Sequence, residues 1–242
     1  DMSHPAVVIN CAGYNTHDWA EEDMVKAFRV NAIGARNVAS ASRKVGAKLI
    51  HMSTDDVFDG QSKKPYTEFD DTNPLTVYGR SKRAGENYVK EFTHKHFVIR
   101  SNWVYGHGGH NFVNRVLAAA EAGNGLSVAS DQFGSPTSAV ELAKMIHFLE
   151  GTDNYGIFHA TCEGETNWAD FTEAFYKKLG IKTKVNHITS QEYANMNPDA
   201  AKRPAYSNLD NYMLRLTTDQ FAMANWEDAL DVYLKDFDME NC

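Results

Sequence analysis

Cysteines and basic residues are both scarce in this chain of 242 residues. Cys11, Cys162 and Cys242 lie far apart, and no two of them have the spacing of zinc ligands, so we assign no metal and expect a reducing, cytoplasmic setting. Only 24 Lys and Arg residues stand against 32 Asp and Glu, and they form no basic run, which argues against a nucleic-acid partner. No apolar run approaches the ~20 residues that cross a bilayer, so no membrane partner is expected either. His107 and His110 lie in a glycine-rich loop and are interpreted as exposed loop residues.

A glycine-rich dinucleotide-binding motif is also absent. Such folds normally open with a strand, a Gly-x-Gly-x-x-Gly turn and a helix N-terminus that holds the pyrophosphate. This sequence begins at Asp1 rather than at a methionine, and it enters an apolar strand at residues 5–10 almost at once. We therefore expect that about 50 residues with the first strands and the glycine turn are missing upstream.

The clearest chemical signal is a tyrosine followed four positions later by a lysine. Tyr78 and Lys82 stand at the head of a predicted helix, just after Asn73-Pro74. Residues at this spacing share one face of a helix, so the phenol and the ammonium point the same way. A cation near a phenol favours the phenolate and lowers the pKa from about 10. Tyr78 is therefore a candidate proton donor or acceptor, with Lys82 adjusting its pKa.

Predicted strand ends surround this helix. The apolar run at residues 48–54 ends in Ser53 and Thr54, and in open α/β sheets ligands bind at that end of the strands. Cys11-Ala12-Gly13 follows the first strand and either allows close approach of a ligand to the backbone or is an ordinary turn. Asn31 is a poor helix former inside a predicted helix. It either links the sheet to the active site or is a tolerated surface residue.

Strands and helices alternate up to about residue 149, which predicts an α/β fold. We expect a Rossmann-like, doubly wound parallel sheet without its N-terminal strands. The predicted domains are a truncated dinucleotide-binding domain at residues 1–150 and, at residues 151–242, mostly a small α+β substrate-binding lobe with a closing helix.

Several stretches together resemble the dTDP-4-dehydrorhamnose reductase branch of the extended short-chain dehydrogenase/reductase family. They occur in the family's order across nearly the whole chain. They are Val8-Ile9-Asn10-Cys11-Ala12-Gly13-Tyr14, Asp18-x-Ala20-Glu21, Ser53-Thr54-Asp55-Asp56-Val57-Phe58, Val77-Tyr78-Gly79-x-Ser81-Lys82, Arg100-Ser101-Asn102-Trp103-Val104-Tyr105-Gly106, Asn111-Phe112-Val113, Asp131-Gln132-x-Gly134-x-Pro136-Thr137 and Arg203-Pro204-x-x-Ser207-x-Leu209.

The resemblance implies an oxidoreductase that passes hydride from NADPH or NADH to the 4-keto group of a dTDP-linked 6-deoxy sugar, in dTDP-L-rhamnose biosynthesis. It implies that Tyr78 protonates the alkoxide, that Thr54 hydrogen-bonds the same oxygen, and that Lys82 holds the nicotinamide ribose. A nucleotide sugar and a second copy of the chain are the partners expected. The residues expected along the cofactor are Cys11, Ala12, Gly13, Asn31, Ser53, Tyr78 and Lys82, and those expected at the sugar nucleotide are Thr54, Asp55, Asn102, Trp103 and Arg203, with Trp103 alternatively a core aromatic.

Two other functions stay open at this point. The family usually has tyrosine where this chain has Asp56, and the resulting acid pair, Asp55-Asp56, is typical of nucleotide-sugar dehydratases. Dehydratases and the related epimerases retain NAD. The second open function is that of a non-catalytic regulatory subunit, because this sequence contains no phosphate loop. The intact set of Thr54, Tyr78 and Lys82 argues against that alternative.

We predict that the chain starting at Asp1 binds dinucleotide poorly, because its 242 residues contain no glycine-rich pyrophosphate turn. Titrating NADPH against the protein and following the fluorescence of the nicotinamide measures this affinity. Tight binding would show that the prediction is wrong.

Overall fold

The computed structural model describes residues 4–109, 111–123 and 125–235. The strands are β1 (Val7–Asn10), β2 (Lys48–Thr54), β3 (His96–Ser101), β4 (Val104–Tyr105), β5 (Leu126–Ala129), β6 (Phe133–Gly134), β7 (Thr137–Ser138), β8 (Gly156–His159), β9 (Thr166–Asn167) and β10 (Val185–Ile188). The helices are α1 (His17–Glu22), α2 (Met24–Phe28), α3 (Ala35–Val45), α4 (Val77–Phe92), α5 (Phe112–Glu121), α6 (Ala139–Glu150), α7 (Trp168–Leu179), α8 (Ser190–Met196), α9 (Tyr212–Thr217) and α10 (Trp226–Lys235). A π-helical turn at Arg29–Gly34 joins α2 to α3, and a 3-10 turn at Asp55–Val57 follows β2.

A parallel sheet of four strands, in the order β1-β2-β3-β8, lies at the centre. Successive side chains of β2 point to opposite faces, so Leu49 packs in a cluster with residues of α3 and α4, whereas Ile50 packs with residues of α6. Helices therefore cover both faces of the sheet, which explains why its strands are nearly continuous apolar runs. This arrangement confirms the predicted α/β, doubly wound fold.

A second core lies outside this sheet. It is formed by α5, α7 and α10, with Phe171, Phe175 and Tyr233 among its fully buried side chains. Short strand pairs flank it, and one of them joins β5 to β10 in parallel. The domain boundary at residue 150 stays a prediction. In the structure β8, which follows this position, pairs with β3, and β5, which precedes it, pairs with β10.

The sequence also led to expectations about membrane crossing and about the loop histidines. Within the described part of the chain, every helix falls short of the length or the hydrophobicity that a bilayer crossing requires. The ring of His107 stacks on Tyr233 with 4.4 Å between the ring centroids. His110 and Cys242 lie outside the described residues.

A buried ion pair ties α4 to the sheet. Arg100 of β3 donates from Nε and Nη2 to the two carboxylate oxygens of Glu86, at 2.9 and 2.8 Å, and Ser53 of β2 donates to the same carboxylate at 2.5 Å. Burial opposes ionisation of Glu86, but the bonds and charge of Arg100 outweigh it and hold the Glu86 pKa below its usual value. The pair therefore fixes one face of α4 against the ends of β2 and β3.

Arg100→Met should leave the Glu86 carboxylate buried without its partner and lower the free energy of unfolding by about 3–5 kcal/mol. Urea denaturation at pH 7 measures this loss. Arg215→Met is the matched control, because it breaks a largely exposed pair with Asp210 and should cost no more than about 1 kcal/mol. The double variant Glu86→Leu/Arg100→Met should lose less than Arg100→Met alone. Equal losses for the exposed and the buried pair would contradict this account.

Candidate active site

The ends of three parallel strands bring polar side chains to one edge of the sheet. Asn10 ends β1, Thr54 ends β2 and Ser101 ends β3, where Thr54 and Ser101 are paired in register. The structure thus places Ser53 and Thr54 where the sequence predicted them, at the carboxyl end of β2. In doubly wound folds, this edge is where ligands bind.

Helix α4 begins beside this edge and brings Tyr78 to it. The Thr76 hydroxyl caps the helix by accepting a hydrogen bond from Gly79 N at 3.0 Å, and the backbone N–H of Val77 donates to Glu21 Oε1 at 2.8 Å. Tyr78 is only 8% exposed and packs among Ala20, Ala27 and Val77. Its position in the first turn of the helix confirms the predicted start of α4 at this point.

The phenol has a raised pKa rather than the lowered one that the sequence predicted. Burial is the largest cause, and the charges of Asp56 and Asp55 add to it, while Thr54 and Arg203 act in the opposite direction. The expectation that Lys82 makes the phenol acidic is therefore wrong for the protein in the state described. A protonated phenol at neutral pH is suited to giving a proton to a substrate.

Lys82 lies one helical turn further on and is almost completely buried. Its ammonium donates a hydrogen bond to the backbone oxygen of Met52 at 2.6 Å. Burial lowers its pKa to about 8, and the charge of Glu86, four residues along the same helix, opposes this shift. Two N–H donors beyond the one given to Met52 suit the hydroxyl groups of a ribose.

The residues expected along a cofactor fit the nicotinamide half of a dinucleotide. Cys11 and Ala12 are exposed just past the end of β1, and Gly13 is half-buried beside them. Asn10 orients this turn, since its Oδ1 accepts from Ala12 N at 3.3 Å and its Nδ2 donates to His51 Nδ1 at 3.0 Å. Accessible backbone and small side chains at this edge allow a flat ring to approach closely.

Asn31 links the segment that follows β1 to helix α4. It is 2% exposed and lies in the π-helical turn, where its Oδ1 accepts from Tyr14 N at 2.7 Å. Its Nδ2 donates to Tyr14 O at 3.1 Å and to Ser81 Oγ at 2.9 Å. The structure thus supports the interpretation of Asn31 as a polar link, and the surface alternative is wrong. Its direct contact with a cofactor stays a prediction.

An acid pair follows Thr54 directly. Thr54 Oγ1 donates to Asp55 Oδ1 at 3.0 Å, and Asp56 Oδ2 accepts from His17 Nε2 at 2.6 Å. Burial and the neighbouring charge of Asp56 raise the pKa of Asp55 to about 8, so this carboxyl group holds a proton near neutral pH. The ring of His17 also lies on the ring of Tyr78, with 4.5 Å between centroids. Sequence reasoning missed His17, because nothing in its local context points to a residue so distant along the chain.

Gly79 allows the start of α4 to lie this close to the turn that carries Asp55 and Asp56. A Cβ atom at this position would lie 2.1 Å from the backbone oxygen of Asp56, a distance that real side chains do not tolerate. Only glycine therefore lets the first turn of α4 pack directly on the 3-10 turn that carries the acid pair. The distance between Tyr78 and the two carboxyl groups depends on this contact.

The residues expected at the sugar nucleotide approach from β3 and from the C-terminal segment. Asn102 is 2% exposed and donates to the backbone oxygen of Ser207 at 2.7 Å, so it ties these two segments together. The Ser207 side chain in turn acts on Asp55, whose pKa it lowers against the larger effect of burial. Arg203 is exposed, and its charge reaches the Tyr78 phenol. Contact between these residues and a sugar stays a prediction.

Trp103 has a strained backbone. Its φ of 47° is a conformation that bulky residues rarely adopt, and such strain is concentrated at functional sites. Its indole is half-buried and stacks on Trp168 with 3.6 Å between centroids, while a Cβ atom at Gly134 would lie 2.8 Å from the same ring. One face of Trp103 is therefore packed in protein. Whether the rest of the ring meets a sugar stays a prediction.

Comparison with known proteins identifies the family to which the chain is similar. The family model described as RmlD substrate binding domain matches residues 1–239. The chain is 38% identical over 232 residues to the spore coat polysaccharide biosynthesis protein SpsK of Bacillus subtilis, covering 96% of this chain and 80% of the relative. It is 37% identical over 236 residues to a dTDP-4-dehydrorhamnose reductase of Sinorhizobium fredii, covering 93% and 78% of the two chains.

A solved structure shows the same fold at similar identity. The dTDP-4-dehydrorhamnose reductase from Bacillus anthracis, determined in complex with NADP, superimposes with a TM-score of 0.92 and 39% identity. The alignment covers 97% of this chain and 82% of that one. With a family match over nearly its whole length and relatives well above 30% identity, the chain belongs to the RmlD family, in which the curated and solved relatives described above include dTDP-4-dehydrorhamnose reductases.

Proposed function

We propose that the protein reduces the 4-keto group of a dTDP-linked 6-deoxy sugar with NADPH or NADH, as a dTDP-4-dehydrorhamnose reductase in dTDP-L-rhamnose biosynthesis. The observation that carries the proposal is the meeting of the Tyr78 phenol and the Thr54 hydroxyl at the carboxyl edge of the sheet, with Lys82 one turn along the same helix. The reductases of Sinorhizobium fredii and Bacillus anthracis support the substrate class, and the NADP complex of the latter supports the cofactor.

When bound, the nicotinamide cofactor supplies the hydride that reduces the carbonyl carbon. Tyr78 then donates its proton to the alkoxide oxygen, which suits a phenol whose raised pKa keeps it protonated. The Thr54 hydroxyl stabilises the same oxygen where charge develops. Lys82 holds the nicotinamide ribose through the ammonium donors that Met52 does not use. Cys11, Ala12 and Gly13 lie along the cofactor with Ser53 and Asn31 behind them.

The sugar nucleotide binds on the other side of Tyr78. Arg203 is exposed next to this site and provides a positive charge for the diphosphate. Asp55 and Asn102 supply polar contacts near the sugar, and Trp103 packs against the ring. In this arrangement residues 1–150 mainly hold the cofactor and residues 151–242 mainly the substrate. The enzyme works in the cytoplasm and forms a homodimer.

One observation favours a second candidate function. The buried pair of Asp55 and Asp56 resembles the acid pair of nucleotide-sugar dehydratases, and Asp55 holds a proton near neutral pH. A dehydratase, or an epimerase of the same superfamily, is therefore the second candidate. Such enzymes return the hydride to the same sugar, so they consume no reduced cofactor. Measuring NADPH oxidation against product formed separates the two: a one-to-one ratio supports reduction, and turnover without net oxidation supports the alternative. A regulatory subunit would give no turnover at all.

Tyr78→Phe should lower kcat for sugar reduction by about 10²–10⁴-fold, because it removes the proton donor and leaves the ring in place. NADPH oxidation at 340 nm measures the rate, and equilibrium titration should show substrate affinity within about threefold of the unaltered protein. Tyr88→Phe is the matched control, since Tyr88 lies on the same helix away from the site, with its ring against Phe92. An unchanged kcat for Tyr78→Phe would remove the proposed mechanism.

A further inference from the structure

The structure raises the question of how Tyr78 recovers its proton. Once the phenol has given its proton to the sugar, it must regain one before the next turnover. Tyr78 is 8% exposed and is surrounded by the apolar side chains of its cluster, so direct exchange with bulk water is hindered. Lys82 is 3% exposed and directs an N–H at the backbone of Met52.

A set of polar side chains leads away from the phenol in another direction. The Thr54 side chain acts on the phenol by lowering its pKa, and its hydroxyl oxygen lies 3.5 Å from Asp56 Oδ2. The same Asp56 oxygen is 2.6 Å from His17 Nε2. The His17 side chain is 15% exposed, against 8% for that of Asp56, so the series runs from the buried phenol towards solvent.

We propose that His17 and Asp56 return a proton to Tyr78 through the Thr54 hydroxyl after each turnover. The inference rests on the proposed function, in which Tyr78 is the proton donor. The pair of His17 and Asp56 is buried enough that its geometry is held, yet His17 retains access to water.

The transfer balances in protons and needs no further reactant. The phenolate takes the proton of the Thr54 hydroxyl, so one O–H bond forms as another breaks. Thr54 regains a proton from the carboxyl pair, and the pair regains one from the imidazolium of His17. Neutral His17 then takes a proton from water or buffer. The proton held by Asp55, whose carboxyl group accepts from Thr54 at 3.0 Å, serves as a store beside the route.

The charged groups around the pair are consistent with proton transfer. Asp55 and Asp56 face the phenol from the 3-10 turn, and Arg203 faces it from the C-terminal segment. Glu21 approaches from α1 and accepts from the N–H of Val77, beside Tyr78. Acidic groups from the 3-10 turn and from α1, and a basic group from the C-terminal segment, therefore all lie near Tyr78.

A burst experiment tests the relay. His17→Gln removes the titrating ring but leaves Tyr78 protonated at the start, so the first hydride transfer should proceed at nearly the original rate. Later turnovers should slow by about 10–100-fold, at or below the lower end of the roughly 10²–10⁴-fold effect of a group that transfers a proton in the transition state, because His17 acts between turnovers. Stopped-flow measurement of NADPH oxidation at a saturating NADPH concentration gives both rates. The ratio of first-turnover to steady-state rate should rise at least about tenfold relative to the unaltered protein.

Three controls make the outcome decisive. His147→Gln alters an exposed histidine outside the site and should leave the ratio unchanged. Asp56→Asn should raise the ratio as His17→Gln does, which guards against a folding defect in one variant. Added imidazole should restore the steady-state rate of His17→Ala in a concentration-dependent way, which a merely structural role would not allow.

An unchanged ratio in both variants would overturn the relay and leave the proposed reduction intact. An equal loss in the first and later turnovers, without rescue by imidazole, would also overturn it and assign His17 a structural role. If the unaltered protein oxidises no NADPH with a dTDP-4-keto-6-deoxy sugar at an NADPH concentration that saturates it by titration, the proposed function fails and the relay fails with it.

Discussion

The position of the site depends on the hydrogen bonds that Ser53 and Arg100 donate to the Glu86 carboxylate. Through this one side chain α4 is fixed to two neighbouring strands at the edge where ligands bind. Breaking the pair is costly because both charges are buried and joined by two hydrogen bonds, so removing one partner leaves the other charge buried and unpaired. Glycine completes the packing: a Cβ atom at Gly85 would lie 2.3 Å from the backbone oxygen of Asn31. The absence of a side chain at Gly85 therefore lets α4 pack closely against the π-helical turn that carries Asn31.

The electrostatics of the site follow from burial more than from the sequence neighbourhood. Tyr78 and Lys82 are one turn apart, yet burial dominates the pKa of each, raising that of the phenol and lowering that of the ammonium to about 8. The charges of Asp56 and Asp55, in the 3-10 turn, raise the pKa of the Tyr78 phenol further. Together these effects keep the proton on the phenol, which is what a reduction that ends in a hydroxyl group requires.

The C-terminal segment completes the site from outside the central sheet. Asn102, just after β3, donates a hydrogen bond to the backbone oxygen of Ser207, and the Ser207 side chain lowers the pKa of Asp55, so this segment adjoins the acid pair. Arg203 lies a short distance along the same segment and adds a positive charge. A nucleotide sugar that binds between these groups would contact both the sheet edge and the second core. The strained Trp103 lies at this junction and is held by Trp168.

The order of strands and helices, the start of α4 and the placement of Thr54 at a strand end could all be predicted from the sequence, because each is set by local periodicity, capping and turn residues. The buried link made by Asn31 could also be suspected, since asparagine inside a helix calls for a partner. The pairing of His17 with Asp56, the anchoring of Glu86 by Arg100 and the raised pKa of Tyr78 could not. These depend on which side chains meet after distant segments pack, and on how much water that packing removes. The sequence by itself determined the chemical groups and the fold that carries them; the tertiary structure alone decided their protonation, because burial and charges from remote segments have no signature in local sequence.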